Sequence, residues 1–137
     1  MRTPWSSSRS PRRRRRIRKL IGDEDQLPIK LLFICSRNKW RSRTAEELYR
    51  DLPGYAAKSA GTEPGSRQRV TEGLLGWADL IFVMEAKHRD YLRAKFPEAI
   101  TGKRVICLRI PDDFIYNDSD LIALLKSSLS PYIVVRD

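Results

Sequence analysis

Long apolar runs, cysteine and histidine are all scarce in this chain of 137 residues. No apolar stretch approaches the length of a membrane span. The two cysteines, Cys35 and Cys107, lie far apart with no CxxC spacing, and His88 is the single histidine. That composition argues against a structural metal site and against a disulfide scaffold. Reduced thiols and a cytoplasmic setting fit it better. The hydrophobic fraction of 41% is ordinary and supports one packed domain.

One acid-free region holds nearly all of the excess positive charge. Residues 1–20 hold nine of the 27 basic groups and no Asp or Glu, whereas the other 117 residues carry 18 basic and 17 acidic groups. The net charge of +10 therefore sits in an arm. We expect residues 1–28 to be a disordered basic arm and linker and residues 29–137 an α/β domain. The arm has no apolar signal-peptide core. It could make weak contact with nucleic acid or an anionic surface through phosphates. The plainer expectation is a tail dispensable to the fold, or a start codon placed too far upstream.

Hydrophobic patterning gives the rest of the chain an alternating order. Ile29–Ile34 reads as a strand buried on both faces. A helix is expected from Arg41 to about Leu52, with Ala45, Leu48, Tyr49 and Leu52 on one face. Tyr55–Ala60, Asp79–Val83 and Arg104–Leu108 read as strands. Arg67–Trp77, Glu85–Phe96 and a segment from Ser119 read as helices, the last capped by Asp118. The alternation predicts a small four-stranded parallel sheet with helices on both faces. Ligands of such sheets bind beyond the strand carboxyl ends, where Cys35 and Asp112 both fall.

The loop Cys35-Ser-Arg-Asn-Lys-Trp-Arg-Ser42 is the densest in chemistry. A backbone curling into a helix N-terminus aims several N–H groups at one point and makes an anion nest. Asn38 suits a left-handed turn in that curl. Arg41 offers a planar fork to phosphate oxygens. The same positive field favours a thiolate at Cys35, to which Ser42 can donate. A nucleophile under a bound oxyanion implies phosphoryl transfer through a phosphocysteine. An acid must then protonate the leaving oxygen, and the segment Arg109–Asn117 supplies Asp112 and Asp113. The bound dianion and burial should raise that carboxyl.

This loop resembles the signature of the low-molecular-weight protein tyrosine phosphatases: Cys, five residues, Arg and Ser around an internal Asn. "SAGT" at Ser59–Thr62, "DLIFVME" from Asp79 and "IPDDFIYNDSDL" from Ile110 are similar to further segments of that family. The pattern is closest to a compact bacterial subgroup with a short loop after the second strand. The resemblance implies a metal-independent, cofactor-free phosphatase acting on a phosphorylated protein or small aryl phosphate. Cys35 would be the nucleophile, Arg41 the phosphate clamp and Asp112 the acid/base, with Asp113 in reserve. Ser36, Arg37, Asn38, Lys39 and Trp40 would line the bound group, and Phe114 would meet the substrate ring. Ser42 would stabilise the thiolate and Ser59 would brace the loop.

Trp40 stands where the family usually has a second loop cysteine, which removes a protective disulfide. Arg37 and Lys39 stand where relatives often carry apolar residues, which points to a more anionic substrate. Among the remaining residues, Cys107 reads as core and His88 as structural or surface. Asp118 and Asp120 read as helix-start charges, and Glu85 as a solvated helix start. Two other functions compete with the phosphatase: an arsenate reductase on the same fold, which needs resolving thiols, and a non-catalytic phosphate- or nucleic-acid-binding module.

Overall fold

A computed structural model describes residues 27–134. The basic arm of residues 1–20, with its expected disorder and anionic contacts, lies outside the described residues. The element order is β1 (Ile29–Cys35), α1 (Arg41–Tyr49), β2 (Tyr55–Gly61), α2 (Glu72–Trp77), β3 (Leu80–Val83), α3 (Ala86–Lys95), β4 (Arg104–Cys107) and α4 (Ser119–Leu129). All four strands pair in parallel, in the order β2-β1-β3-β4.

The apolar run of β1 explains its central place. Leu31 to Ile34 are fully buried, so the strand needs cover on both faces. On one face Leu31, Phe33, Phe82 and Met84 pack with Ala45 and Tyr49 of α1 and with Leu121, Leu125 and Leu129 of α4. On the other, Leu32, Ile34, Ile81 and Val83 pack with Leu75 of α2 and Leu92 of α3. Helices thus cover both faces, as the alternation predicts. Burying each such Leu or Phe side chain contributes about 1.5–3 kcal/mol.

Two helices are shorter than their patterns suggest. α1 ends at Tyr49 rather than near Leu52, because the chain turns there: the Leu52 N–H donates to the Tyr49 carbonyl and the Tyr55 N–H to that of Leu52, both at 3.1 Å. Leu52 still packs against the α1–α4 cluster. α2 opens only at Glu72, where Thr71 accepts from the Leu74 N–H at 3.1 Å. Residues 67–71 are instead irregular, with a bend at 67–68 and an isolated bridge from Arg69 to Gly61. Asp118 caps α4 as expected, accepting from the N–H groups of Asp120 at 2.8 Å and Leu121 at 3.3 Å.

Strand order turns about β1: the chain passes to β2 on one side, then returns to β3 on the other. The carboxyl ends of β1 and β3 therefore flank the crevice where such sheets bind ligands. Cys35 ends β1, and Met84-Glu85 follow β3.

Candidate active site

Residues 35–42 curl over the end of β1 around the Cys35 sulfur. Asn38 makes the curl with φ of 57°, a left-handed angle that Asn adopts more readily than most side chains. Its N–H donates to Cys35 Sγ at 3.2 Å, and Ser42 Oγ lies 2.9 Å from the same sulfur. Asn38 Nδ2 donates to Ser42 Oγ at 2.8 Å and to Ser59 Oγ at 2.7 Å. Because the Ser42 oxygen accepts from Asn38, its own hydrogen is available to the sulfur. Asn38 and Ser42 are fully buried, which makes these bonds costly to break.

The segment after β2 backs this curl. The N–H groups of Thr62, Glu63 and Arg67 donate to the carbonyls of Cys35, Ser36 and Arg37 at 3.0, 2.9 and 3.2 Å. Gly61 permits this closeness: a Cβ there would lie 2.7 Å from the Arg37 carbonyl carbon and 2.8 Å from the Asn38 nitrogen. Ser59, which accepts from Asn38, donates in turn to Glu46 on α1.

Arg41 is 2% exposed and held along one edge. Its Nη1 donates to Glu85 Oε1 and to the Ile110 carbonyl, both at 2.8 Å. That uses both Nη1 hydrogens and leaves the Nε and Nη2 edge for two oxygens of an anion. Partial burial pushes the Glu85 carboxyl up, but the Arg41 hydrogen bond and the positive charge beside it outweigh burial and hold it below the ordinary range. Glu85 therefore stays ionised and keeps the clamp oriented.

Glu85 also caps α3, and its N–H donates to His88 Nδ1 at 3.0 Å. With Nδ1 accepting, the neutral ring carries its hydrogen on Nε2, which donates to Ser36 Oγ at 3.0 Å. Burial, reinforced by the Arg41 charge, lowers the His88 pKa to about 4. His88 is thus a neutral buried strut between α3 and the loop.

The loop after β4 carries the two candidate acids, Asp112 and Asp113. Asp112 Oδ1 lies 3.7 Å from Arg41 Nε, and its side chain is 58% exposed. The expected burial of this carboxyl is not found. Asp113 is also exposed, and it has no ion pair to Arg41 among the described residues. Thr44 Oγ1 accepts from the Asn117 N–H at 2.9 Å, and Tyr116 donates to Glu47, so the loop docks on α1.

Cys35, Asn38, Arg41, Ser42, Ser59 and Asp112 thus form one constellation. Ser36 is buried and spends its hydroxyl on His88. Arg37, Lys39 and Trp40 form the outer rim. Phe114 packs, half-buried, against the α1–α4 cluster. One reading from sequence is corrected: Glu85 braces Arg41 rather than standing as a solvated helix start, while His88 takes the structural of its two expected roles and is buried. Their partners are 44 and 52 residues away, so local patterning carries no signal for them. The one available hint was a single His three residues after an acidic helix start, which is a capping-box spacing.

A loop that holds a buried thiol against a backbone N–H and a serine, with a buried arginine at its end, has the chemistry of an oxyanion site. No protein-family model matches the chain. A curated protein-arginine-phosphatase from Geobacillus stearothermophilus is 30% identical over 97 residues, covering 53% of this chain and 66% of that protein. The chain therefore spans just under two thirds of that relative. The tyrosine phosphatase Wzb from Escherichia coli K30, solved with phosphate, superposes with a TM-score of 0.62 at 22% identity, covering 77% of this chain and 96% of that one. A low molecular weight phosphotyrosine phosphatase from Vibrio cholerae O395 gives 0.59 at 20% identity, with 74% and 92% covered. The YwlE arginine phosphatase from G. stearothermophilus gives 0.57 at 23%, with 75% and 87% covered. The chain thus shares the fold of low-molecular-weight tyrosine and arginine phosphatases.

Proposed function

We propose that the chain is a phosphomonoester hydrolase of the protein-tyrosine-phosphatase type, acting through a phosphocysteine on Cys35. The observation that carries this is the Cys35 sulfur, held by the Asn38 N–H and Ser42 in one loop with an arginine whose only hydrogen bonds among the described residues are through Nη1, Asp112 lying 3.7 Å from its Nε. The substrate phosphoryl group occupies the cup, bound by loop N–H groups and by Arg41 Nε and Nη2. The thiolate attacks phosphorus in line. As the phosphorus–oxygen bond breaks, protonated Asp112 gives its proton to the leaving oxygen. Asp112, now a carboxylate, takes a proton from water, and the water oxygen attacks phosphorus. The sulfur–phosphorus bond breaks, releasing inorganic phosphate and restoring the thiolate.

The exposure of Asp112 suits this role, since the acid must reach a leaving group at the mouth of the cup. The reaction asks for no metal and no cofactor. Its substrates are phosphorylated proteins or small aryl phosphates, and the working site is the cytoplasm. Among the described residues no helix is long and apolar enough to cross a membrane. Residues 1–20 add a weak, separate contact with nucleic acid or an anionic surface. Deleting residues 1–26 should then weaken that contact and leave hydrolysis unchanged; a loss of hydrolysis instead would tie the arm to catalysis.

Arsenate reduction would need a resolving thiol near Cys35. Cys107, the other cysteine, packs with the opposite core cluster, across the sheet. The test of the phosphatase is hydrolysis of an aryl phosphate, without added metal, that vanadate inhibits and Cys35→Ser abolishes. Full turnover by Cys35→Ser would overturn the mechanism.

A further inference from the structure

We propose that the phosphate cup has a neighbouring basic subsite, built from Arg37, Lys39 and Arg67, that selects substrates carrying a second anionic group. This deepens the phosphatase reading and rests on it. The left-handed turn at Asn38 buries that side chain in the loop and leaves its neighbours Arg37 and Lys39 exposed on the outer rim. Arg67 comes from the segment after β2, and its N–H donates to the Arg37 carbonyl at 3.2 Å. The two arginines therefore rise from adjoining backbone. With Lys39 and Gly65 they line an open cleft of about 330 Å³.

The charges in this cleft do not cancel. Arg37 pairs with Glu63 at 3.3 Å, but both are well exposed, so the pair is weak. Arg67 reaches Glu46 at 3.5 Å, and Glu46 already accepts from Ser59. Lys39 has no ion pair among the described residues; its Nζ lies 5.3 Å from the Trp40 ring centroid. Cationic charge is thus in excess beside a cup that already binds a dianion. A carboxylate or second phosphate next to the scissile group would be attracted. A phosphorylated guanidinium would bring positive charge to the same rim and be repelled. On this point the chain departs from the relative named a protein-arginine-phosphatase.

The test is steady-state kinetics on three phosphotyrosyl peptides, flanked by Asp/Glu, Ala or Lys, together with a small aryl phosphate and a phosphoarginyl peptide. At low salt the acidic peptide should exceed the Ala peptide in kcat/KM by about five- to tenfold, as a few exposed charge pairs allow. The Lys-flanked and phosphoarginyl peptides should be the poorest. The preference should shrink at high salt. In Arg37→Gln/Lys39→Gln the acidic-to-Ala ratio should fall toward one. Equal turnover of acidic and Ala peptides, or a ratio unchanged in the double variant, overturns the subsite and leaves the phosphatase standing. No turnover of any substrate overturns both.

Discussion

The two loops that meet at the site are built in opposite ways. The phosphate loop is buried and fixed at many points: Asn38, Ser42 and Arg41 each hold at least two partners inside the protein. The acid loop is anchored at its ends, by Ile110 and by Asn117, while Asp112 between them stands in solvent. The difference follows from what the proposed mechanism asks of each. A cup that stabilises charge developing in place needs its donors aimed before the substrate arrives. An acid that exchanges protons with leaving groups and with water would be cut off by burial.

If that division holds, substitutions in the two loops should fail differently. The largest effect is expected at Arg41→Lys. Losing the fork removes the two-point phosphate contact and the braces to Glu85 and Ile110 together, so kcat/KM should fall by about 10²–10³ and vanadate affinity should fall with it. Asp112→Ala should lower kcat by about 10² yet leave vanadate affinity nearly unchanged, a split that steady-state and inhibition kinetics would expose. An unaffected Asp112→Ala would move the acid role to Asp113.

Structural substitutions sharpen the contrast on the stability side. Asn38→Ala puts a Cβ-only residue in a left-handed turn and removes the donors to Ser42 and Ser59, so chemical denaturation should show a loss of roughly 2–4 kcal/mol. Gly61→Ala should push the loop backbone at Arg37 and Asn38 and lower stability by about 1–3 kcal/mol, with a loss of activity. The equivalent change in the acid loop, Asp113→Ala, should leave the denaturation midpoint where it is.

A pH dependence of stability is also expected. His88 has a folded pKa lowered to about 4 from 6.5. Below pH 6.5 the unfolded chain binds the proton more readily than the folded one. The neutral strut therefore contributes fully above that pH, and its contribution drains away as the pH falls toward 4, by roughly 3 kcal/mol at most. Denaturation midpoints between pH 7 and 4 should drop less steeply in His88→Gln than in the unsubstituted protein.

What could be read in the sequence follows the same division. The buried loop was legible because its chemistry is contiguous: Cys35, Asn38, Arg41 and Ser42 lie within eight residues, between a continuous apolar strand and a periodic helix. The alternation of strands and helices was legible for a similar reason, since each element carries its own apolar face. Three things were not legible. The brace of Arg41 by Glu85 and the tie of His88 to Ser36 join residues more than forty positions apart. The irregular segment at residues 67–71, expected to be helical, is held by its bonds to Gly61 and not by its own propensity. The exposure of Asp112 depends on how the acid loop docks on α1, through Tyr116 and Asn117.

The central claim is that Cys35 carries the phosphoryl group between the two half-reactions. Its most direct test is rapid acid quench of the enzyme during turnover of an aryl phosphate, followed by mass spectrometry of its peptides. The account predicts a phosphoryl adduct on the peptide bearing Cys35, absent from Cys35→Ser. Steady turnover with no adduct on Cys35, or an adduct on another residue, would contradict it.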